Sequence, residues 1–587
     1  MVNSLRIFFV VLSFLAVIRS QSFNEKWITE FEKSNYQSTA TYEQTVKYFN
    51  QFAEYPEVKI EKFGVSPQGR DLICLIISKD GLHKPADVKK NRKPVVFIEN
   101  AIHSGEIEGK DACMLLLREI LVTKEKYYYL KNLALIIVPI FSVDGHERSS
   151  PYNRINQNGP TNMGWRTTAQ NLNLNRDFMK ADAPEMKALL RLFNKWEPDL
   201  FIDTHTTNGA DYQYDLTYIM HSLHDVTPSF SQWVKNKYIP RFKEDLQKEG
   251  FKVYRYIYPF RKELKEGIID FISPPRLATG YGAAQNTPTI TVETHMLKPY
   301  KRRVFATKAL IESSLKMINE NPEELLKVNE KTDKERIELY YKTGKYFPVR
   351  YKLDSSFTLI NFEGKTYDYI YSDVAGAKII KYFDRDSTFQ IPFYGNILIT
   401  DSVKVPEGYL IPGEWIDIID VIKNHGIKLT EVTTPSGYNV ERYEFKDVTF
   451  AEAPYEGRFI PEFEYTVKRE TILIDSGYYF VNTNQRRLSV IVQLLEPKAE
   501  DSFLRWGFFN AIFERKEYFE DYSMEPIAKK MFEENSELRK EFNEKLKSDE
   551  EFKNNPRARL NFFYKRSPYY DEKHNQYPVL RVIDKIK

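Results

Sequence analysis

The 587-residue chain reads as an α/β protein, a mixed sheet with helices on both faces, followed by a β-rich module and a C-terminal helical region. Three observations predict this. From about residue 40 to 320, continuous apolar runs alternate with stretches of helical period, as in a sheet covered on both faces. Beyond residue 330 the texture changes to apolar/polar alternation broken by turn signals, the mark of antiparallel strands. After residue 497, apolar residues recur at four-residue spacing among many Lys and Glu. The chain is too long for one hydrophobic core. Its expected division is a signal peptide over 1–20, the α/β domain over 21–330, the β-rich module over 331–497 and the helical region over 498–587.

Taken in order, residues 1–20 combine Arg6, an apolar stretch from Ile7 to Ile18, and Ser20 before Gln21, the layout of a secretory signal. The apolar run is short for a membrane span, so no stable span is expected after cleavage. Cleavage near Ser20 removes Arg6 and Arg19 and sends the mature chain out of the cell or into a periplasm. Tyr42 to Phe52 reads as a first helix, with too few residues before it for an inhibitory domain. Strands are expected at Asp71–Ser78, Pro94–Ala101, Leu133–Ile140, Asp199–Thr204 and Thr289–Glu293. Ala112, Leu116 and Ile120, with Cys113 and Leu117 beside them, form an apolar stripe at helical period. Val349, Tyr351 and Leu353 alternate with polar residues, as part of Tyr367 to Tyr371 does, with turns near Gly364 and Gly408. Ile527 and Met531, then Leu538, Phe542 and Leu546, mark the helical region.

Lys and Arg total 85 against 82 acidic residues, and a net charge of +3 gives no electrostatic case for nucleic acid as a partner. Cys74 and Cys113 are the two cysteines, too few for a disulfide scaffold, and leave two buried thiols and one bridge both open. No Asn-x-Ser/Thr acceptor occurs, which favours a bacterial periplasmic address.

His103-Ser104-Gly105-Glu106 follows directly on the run from Pro94, and His205 follows the run from Asp199. Two imidazoles and one carboxylate are the donor set of a mononuclear zinc site that keeps its fourth position open. One Zn2+ per chain is expected, held by His103, Glu106 and His205. The third run delivers Glu293, a free carboxylate placed to act as a base in metal-assisted hydrolysis. A His and a Glu three apart, taken alone, usually mark a solvated pair at a helix start. The weight comes from the company: all these residues fall at the carboxyl ends of strands, where α/β sheets bind ligands. No HExxH helix is present, and His146, His221 and His224 compete as ligands on composition only. His295 reads as a packed histidine.

The ordered set His103 and Glu106, Trp165-Arg166, Asn175-Arg176, His205 and Glu293 resembles the zinc metallocarboxypeptidase family over roughly residues 40 to 320. The resemblance implies that family's α/β fold and a peptide or protein substrate with a free C-terminal carboxylate. It also implies roles. His103, Glu106 and His205 would hold zinc, and Glu293 would take a proton from water and return it to the leaving amine. Arg166 would face the developing oxyanion. Asn175 and Arg176 would clamp the terminal carboxylate, which a planar guanidinium can meet with two parallel bonds. The family's pocket tyrosine is placed at Tyr281, because Thr279-Gly280-Tyr281-Gly282 reads as a mobile loop, with Tyr258 the other candidate. Leu494 to Pro497, Trp506 to Phe509 and Tyr522 to Pro526 resemble extensions carried by some secreted bacterial relatives.

One position departs from the family. It often carries Asp two residues before its Asn-Arg pair, and here Asn173 stands there, able to accept from the first ligand's imidazole but supplying no negative charge. Apart from the resemblance, Arg166 reads more readily as a solvated loop arginine and Asn175-Arg176 as a polar turn. Two other functions compete: a zinc amidase or deacylase on peptidoglycan peptides or small N-acyl substrates, which needs no carboxylate clamp, and a non-catalytic binding protein on the same scaffold, which holds no stoichiometric zinc.

Overall fold

A computed structural model describes residues 25–221, 226–261, 263–270 and 272–586. The expected signal peptide and His224 lie outside them. Contacts divide the chain into two compact units, one comprising the chain up to Pro406 with Ile416–Leu429 and Val481–Ser502, the other Glu407–Trp415, Thr430–Phe480 and Phe503–Lys587.

The first unit is built on β1 (Val58–Val65), β2 (Asp71–Ser78), β3 (Val95–Asn100), β4 (Ala134–Val138), β5 (Leu200–Thr206), β6 (Leu216–Met220), β7 (Val253–Arg255) and, after the short β8 (Tyr258–Pro259) and β9 (Ile268–Ile269), β10 (Thr289–Thr294). Eight of these form one mixed sheet in the order β1-β2-β4-β3-β5-β10-β6-β7. The central strands β4, β3, β5 and β10 run parallel to one another. They are apolar at successive positions because both faces are covered. On one face Ile98, Ile202 and Val292 share a core with Leu116 of α1 (Glu108–Leu117). Alternation turns Phe97 and Phe201 to the other face, where Phe193 of α2 (Pro184–Trp196) packs on both at 5.9 and 5.5 Å. Tyr281 of α3 (Ala278–Ala284) packs edge-on against Phe193 of the same aromatic group. The helix α4 (Tyr300–Glu320) returns to the first face, bringing Leu310 and Ile311 into the core with α1. Cys74 and Cys113 are separate buried thiols.

Four antiparallel strands also belong to the first unit. β11 (Phe347–Leu353) pairs with β14 (Ile397–Val403), while β12 (Thr358–Ser372) and β13 (Ala377–Tyr394) form a long hairpin whose base adds β9 and β8. Phe362 and Ile391 of that base pack with Tyr212, Tyr214 and Ile268. The stretch read as β-rich contains two helices as well, Ile416–Asn424 and α5 (Leu488–Leu495). An eight-residue stretch such as Leu488 to Leu495, apolar but for Ser489 and Gln493, is too short to separate a buried helix from a buried strand by pattern.

The second unit holds a six-stranded sheet of β15 (Gly408–Pro412), β16 (Thr430–Val432), β17 (Ser436–Phe450), β18 (Pro461–Ile474), β19 (Tyr478–Asn482) and β20 (Leu580–Lys585), in the order β16-β19-β15-β20-β17-β18. The helices Asp521–Glu534, Ser536–Ser548 and Pro556–Tyr564 bury Leu538, Phe542, Phe562 and Phe563 together. After them β20 enters the middle of the sheet between β15 and β17.

Candidate metal centre

β3, β5 and β10 are adjacent, so what they carry at their carboxyl ends converges. Beyond β3 the chain turns through His103 and Glu106, closed by the bond from Glu106 N–H to the His103 carbonyl at 2.9 Å, and enters α1. The turn can lie this close because residue 109 is glycine: a Cβ there would stand 2.1 Å from Asn100 Oδ1 and 2.2 Å from Thr204 Oγ1. β10 pairs in register with β5 so that Glu293 is the partner of His205. His103, Glu106 and His205 are buried, and each offers a ligand atom within 4.8 Å of the others, the one such group of three among the described residues.

The imidazoles face Glu106 with the same atom. His103 Nδ1 lies 3.2 Å and His205 Nδ1 2.9 Å from Glu106 Oε2, which also accepts from Thr206 N–H at 3.1 Å. Their Nε2 atoms are held from behind. His103 Nε2 lies 3.1 Å from Asn173 Oδ1, whose identity as the oxygen is fixed by the Asn175 N–H that donates to it. His205 Nε2 lies 2.6 Å from Asp203 Oδ2. The acceptor at each Nε2 can take that nitrogen's proton, which would free the Nδ1 lone pair for a metal in place of its contact with Glu106. Two aligned imidazole nitrogens and a carboxylate fit Zn2+.

Glu106 Oε1 accepts from Arg154 Nη2 at 2.6 Å and Arg166 Nη1 at 3.2 Å. Both arginines come from one loop. It is stapled by paired backbone bonds between Ser150 and Met163 and by Trp165 N–H on the Gly145 carbonyl, while Gln157 Nε2 donates to the Gly105 carbonyl of the His103 turn. Burial works against charge on Glu106, yet His103 and Arg154 hold its carboxyl well below the usual range. Burial, opposed by His205 but helped by Glu106 and Asp203, raises the Glu293 carboxyl to about 8.

Asn175 and Arg176 occupy the short turn Leu174–Arg176 directly after Asn173. Asn175 Oδ1 accepts from Ala278 N–H at 3.0 Å, and Arg176 Nη1 donates to the Asn175 carbonyl at 2.6 Å. The turn therefore ties the support of His103 to the start of α3.

Tyr281 needs correction. It lies inside α3, not on a mobile loop, and is fully buried, with its hydroxyl accepting from Gln285 Nε2 at 2.7 Å and 3.1 Å from His425 Nδ1. The flanking glycine that suggested mobility is there for close packing: a Cβ at Gly282 would stand 1.7 Å from Thr289 Oγ1. The tyrosine whose phenol feels both the Glu293 and Glu106 carboxylates is Tyr256, which burial, with those charges, holds above its ordinary range. Tyr254, Tyr256 and Tyr258 alternate identically, so pattern alone does not choose among them; Tyr258 is 45% exposed.

Arg154, Asp203 and Tyr256 are the residues a sequence reading misses. Asp203 carried a signal, since residues two apart on a strand share a face. Of the competing histidines, His146 meets Lys110 and Glu147, and His221 accepts from Ser273 N–H. His295 is a packed core residue, its ring tilted against Tyr212 at 4.1 Å.

A family model described as zinc carboxypeptidase matches residues 45–374. Carboxypeptidase 2 of Trichophyton tonsurans is 21% identical over 466 residues, which covers 75% of this chain and 78% of the relative. Among solved structures, a metallo-carboxypeptidase from Burkholderia cenocepacia is similar at TM-score 0.36 and 17% identity, covering 48% of this chain and 70% of that one. Carboxypeptidase A from Helicoverpa armigera is similar at TM-score 0.35 and 17% identity, covering 54% and 78%. The family model spans more than half of the sequence, and the chain belongs to the zinc carboxypeptidase family, as a metallocarboxypeptidase.

Proposed function

We propose that this enzyme is secreted and removes C-terminal residues from peptides, with Zn2+ held by His103, Glu106 and His205, Glu293 as general base, Arg166 at the oxyanion, and Asn175 and Arg176 on the terminal carboxylate. The observation that carries the reading is the register of β10 on β5, which sets Glu293 beside His205 at the edge of the triad. When bound, the metal polarises the scissile carbonyl and lowers the pKa of water toward neutrality.

The chain's own groups supply the rest. Glu293, partly buried and among carboxylates, holds its proton more firmly than an exposed carboxyl, so its carboxylate can take one from the attacking water and deliver it to the leaving nitrogen. Arg166 is 41% exposed and rests on Glu106 by one nitrogen, which leaves most of its donors for a developing oxyanion. With Asn175 Oδ1 taken by Ala278, its amide nitrogen is the half turned to a substrate carboxylate, and Arg176 adds a planar donor pair. The reading keeps residues 1–20 as a cleaved signal, 21–330 as the catalytic stretch, and 331–497 and 498–587 as appended regions.

The test pairs two variants with two peptides, one ending in a free carboxylate and one in an amide. Glu293→Gln is expected to lose about 100-fold or more in kcat while keeping stoichiometric zinc. Arg176→Ala is expected to cripple cleavage of the free-carboxylate peptide selectively. Substantial activity of Glu293→Gln would remove the base assignment, and equal cleavage of both peptides by the wild type would remove the clamp.

A further inference from the structure

The Glu106 carboxylate meets two guanidinium groups where one would balance its charge. Arg154 Nη2 and Arg166 Nη1 both donate to Oε1, while Oε2 faces the two imidazoles. The two arginines are not equivalent. Arg154 is the nearer, at 2.6 Å against 3.2 Å, and the more enclosed, with a side chain 14% exposed against 41%.

Arg154 is also built into its place. Its aliphatic stem crosses the turn that carries His103 and Glu106: a Cβ at Gly105 would stand 2.7 Å from Arg154 Cγ and 2.8 Å from Cδ, so glycine is what lets the stem pass. Gln157 steadies both sides of that crossing. Its Oε1 accepts from Arg154 Nε at 3.3 Å, and its Nε2 donates to the Gly105 carbonyl at 2.8 Å. The loop is tied down in turn by Arg303, fully buried, which donates to the Asn158 and Gly159 carbonyls at 2.8 and 2.5 Å and to Glu108 of α1 at 2.7 Å. Arg166, farther off and more open, rests on the same carboxylate oxygen by one nitrogen.

We infer that Arg154 is a positioning residue for hydrolysis: it fixes Glu106 by Oε1, so that Oε2 is the atom presented to the metal, and by supplying that counter-charge it leaves Arg166 free to turn to the oxyanion. The inference rests on the roles proposed above for Glu106 and Arg166. Its physical basis is competition. A buried carboxylate left with one guanidinium holds it tightly, because charge-assisted bonds strengthen where water is excluded. With Arg154 in place, Glu106 keeps a close partner when Arg166 leaves, and the departure costs little.

The test is a double-substitution cycle on the zinc-loaded enzyme, read by kcat, KM and, separately from activity, zinc affinity in chelator competition. Arg154→Met keeps the stem and removes the charge. It is expected to weaken zinc about tenfold, as loss of a group that orients a ligand does. At saturating zinc it is expected to lower kcat about tenfold with KM within about twofold, the sign of an interaction made in the transition state. Arg166→Met is expected to lower kcat about 100-fold. Because Arg154 acts on the oxyanion through Arg166, the double variant is expected to match Arg166→Met in kcat rather than fall a further tenfold, as independent sites would. Arg154→Lys returns the cation and is expected to recover most of both losses. Additive losses in kcat, unchanged zinc affinity in Arg154→Met, or a zinc loss as large in Arg154→Lys as in Arg154→Met would each overturn the inference. Full activity of Arg166→Met would instead remove the oxyanion role proposed above, and the release of Arg166 with it, while the zinc comparison would still decide whether Arg154 holds Glu106.

Discussion

The two imidazoles of the triad are alike on the side that faces Glu106 and different on the side that faces away. Behind His103 stands an amide, Asn173, delivered by a turn 70 residues further on; behind His205 stands a carboxylate, Asp203, two residues back on the same strand. Burial, with Arg166 and against the pull of Glu106, holds His103 down to about 3. For His205 burial pulls the same way, yet Asp203, Glu106 and Glu293 outweigh it and raise the imidazole well above its usual value. The negative charge that the family resemblance leads one to seek behind the first histidine is found behind the second. The lesson is that a second layer of support can be supplied by whichever element lies nearest, provided each Nε2 finds an acceptor.

This asymmetry can be broken or sharpened by substitution. The largest effect is expected from Glu106→Gln, which removes the group both imidazoles share and leaves Arg154 and Arg166 without their counter-charge: zinc should fall below stoichiometric content by metal analysis, and hydrolysis should drop to background. Asp203→Asn keeps the shape and removes the charge behind His205, and zinc affinity measured by chelator competition should fall about 10–100-fold. The converse change, Asn173→Asp, gives the first histidine the same anionic support and should tighten zinc by up to about tenfold. If Asp203→Asn leaves zinc affinity unchanged, the charge of the support is irrelevant and the comparison loses its meaning. The smallest catalytic effect is expected from Tyr281→Phe, which should leave kcat/KM unchanged and cost about 1–3 kcal/mol in denaturant unfolding, since Gln285 and His425 then lose a buried partner. A large fall in kcat/KM for that variant would return Tyr281 to the substrate pocket.

Much of this architecture is legible along the chain. The five expected strands of the sheet are present within a few residues of their sequence bounds, because a strand buried on both faces writes itself as an unbroken apolar run. The strand β1 escapes this test: it borders the sheet, keeps several polar residues partly exposed, and reads as neither run nor clean alternation. His103, Glu106, His205 and Glu293 stand out because donor side chains at the ends of apolar runs have little structural reason to be there. Arg154 offers no such cue, lying 48 residues from Glu106 in a loop without period. Tyr281 misleads for a physical reason, since glycines that allow close packing look the same in sequence as glycines that allow motion.

The sequence by itself determined which strands exist, which donor residues sit at their ends, and the order that marks the family, all of which depend on local period and residue chemistry. Only the tertiary structure decided that β3, β5 and β10 are neighbours, that Glu293 falls opposite His205, which acceptor backs each imidazole, and that Tyr281 is buried inside a helix. Those outcomes are set by sheet order, register and loops that return from far along the chain, and no local pattern encodes them.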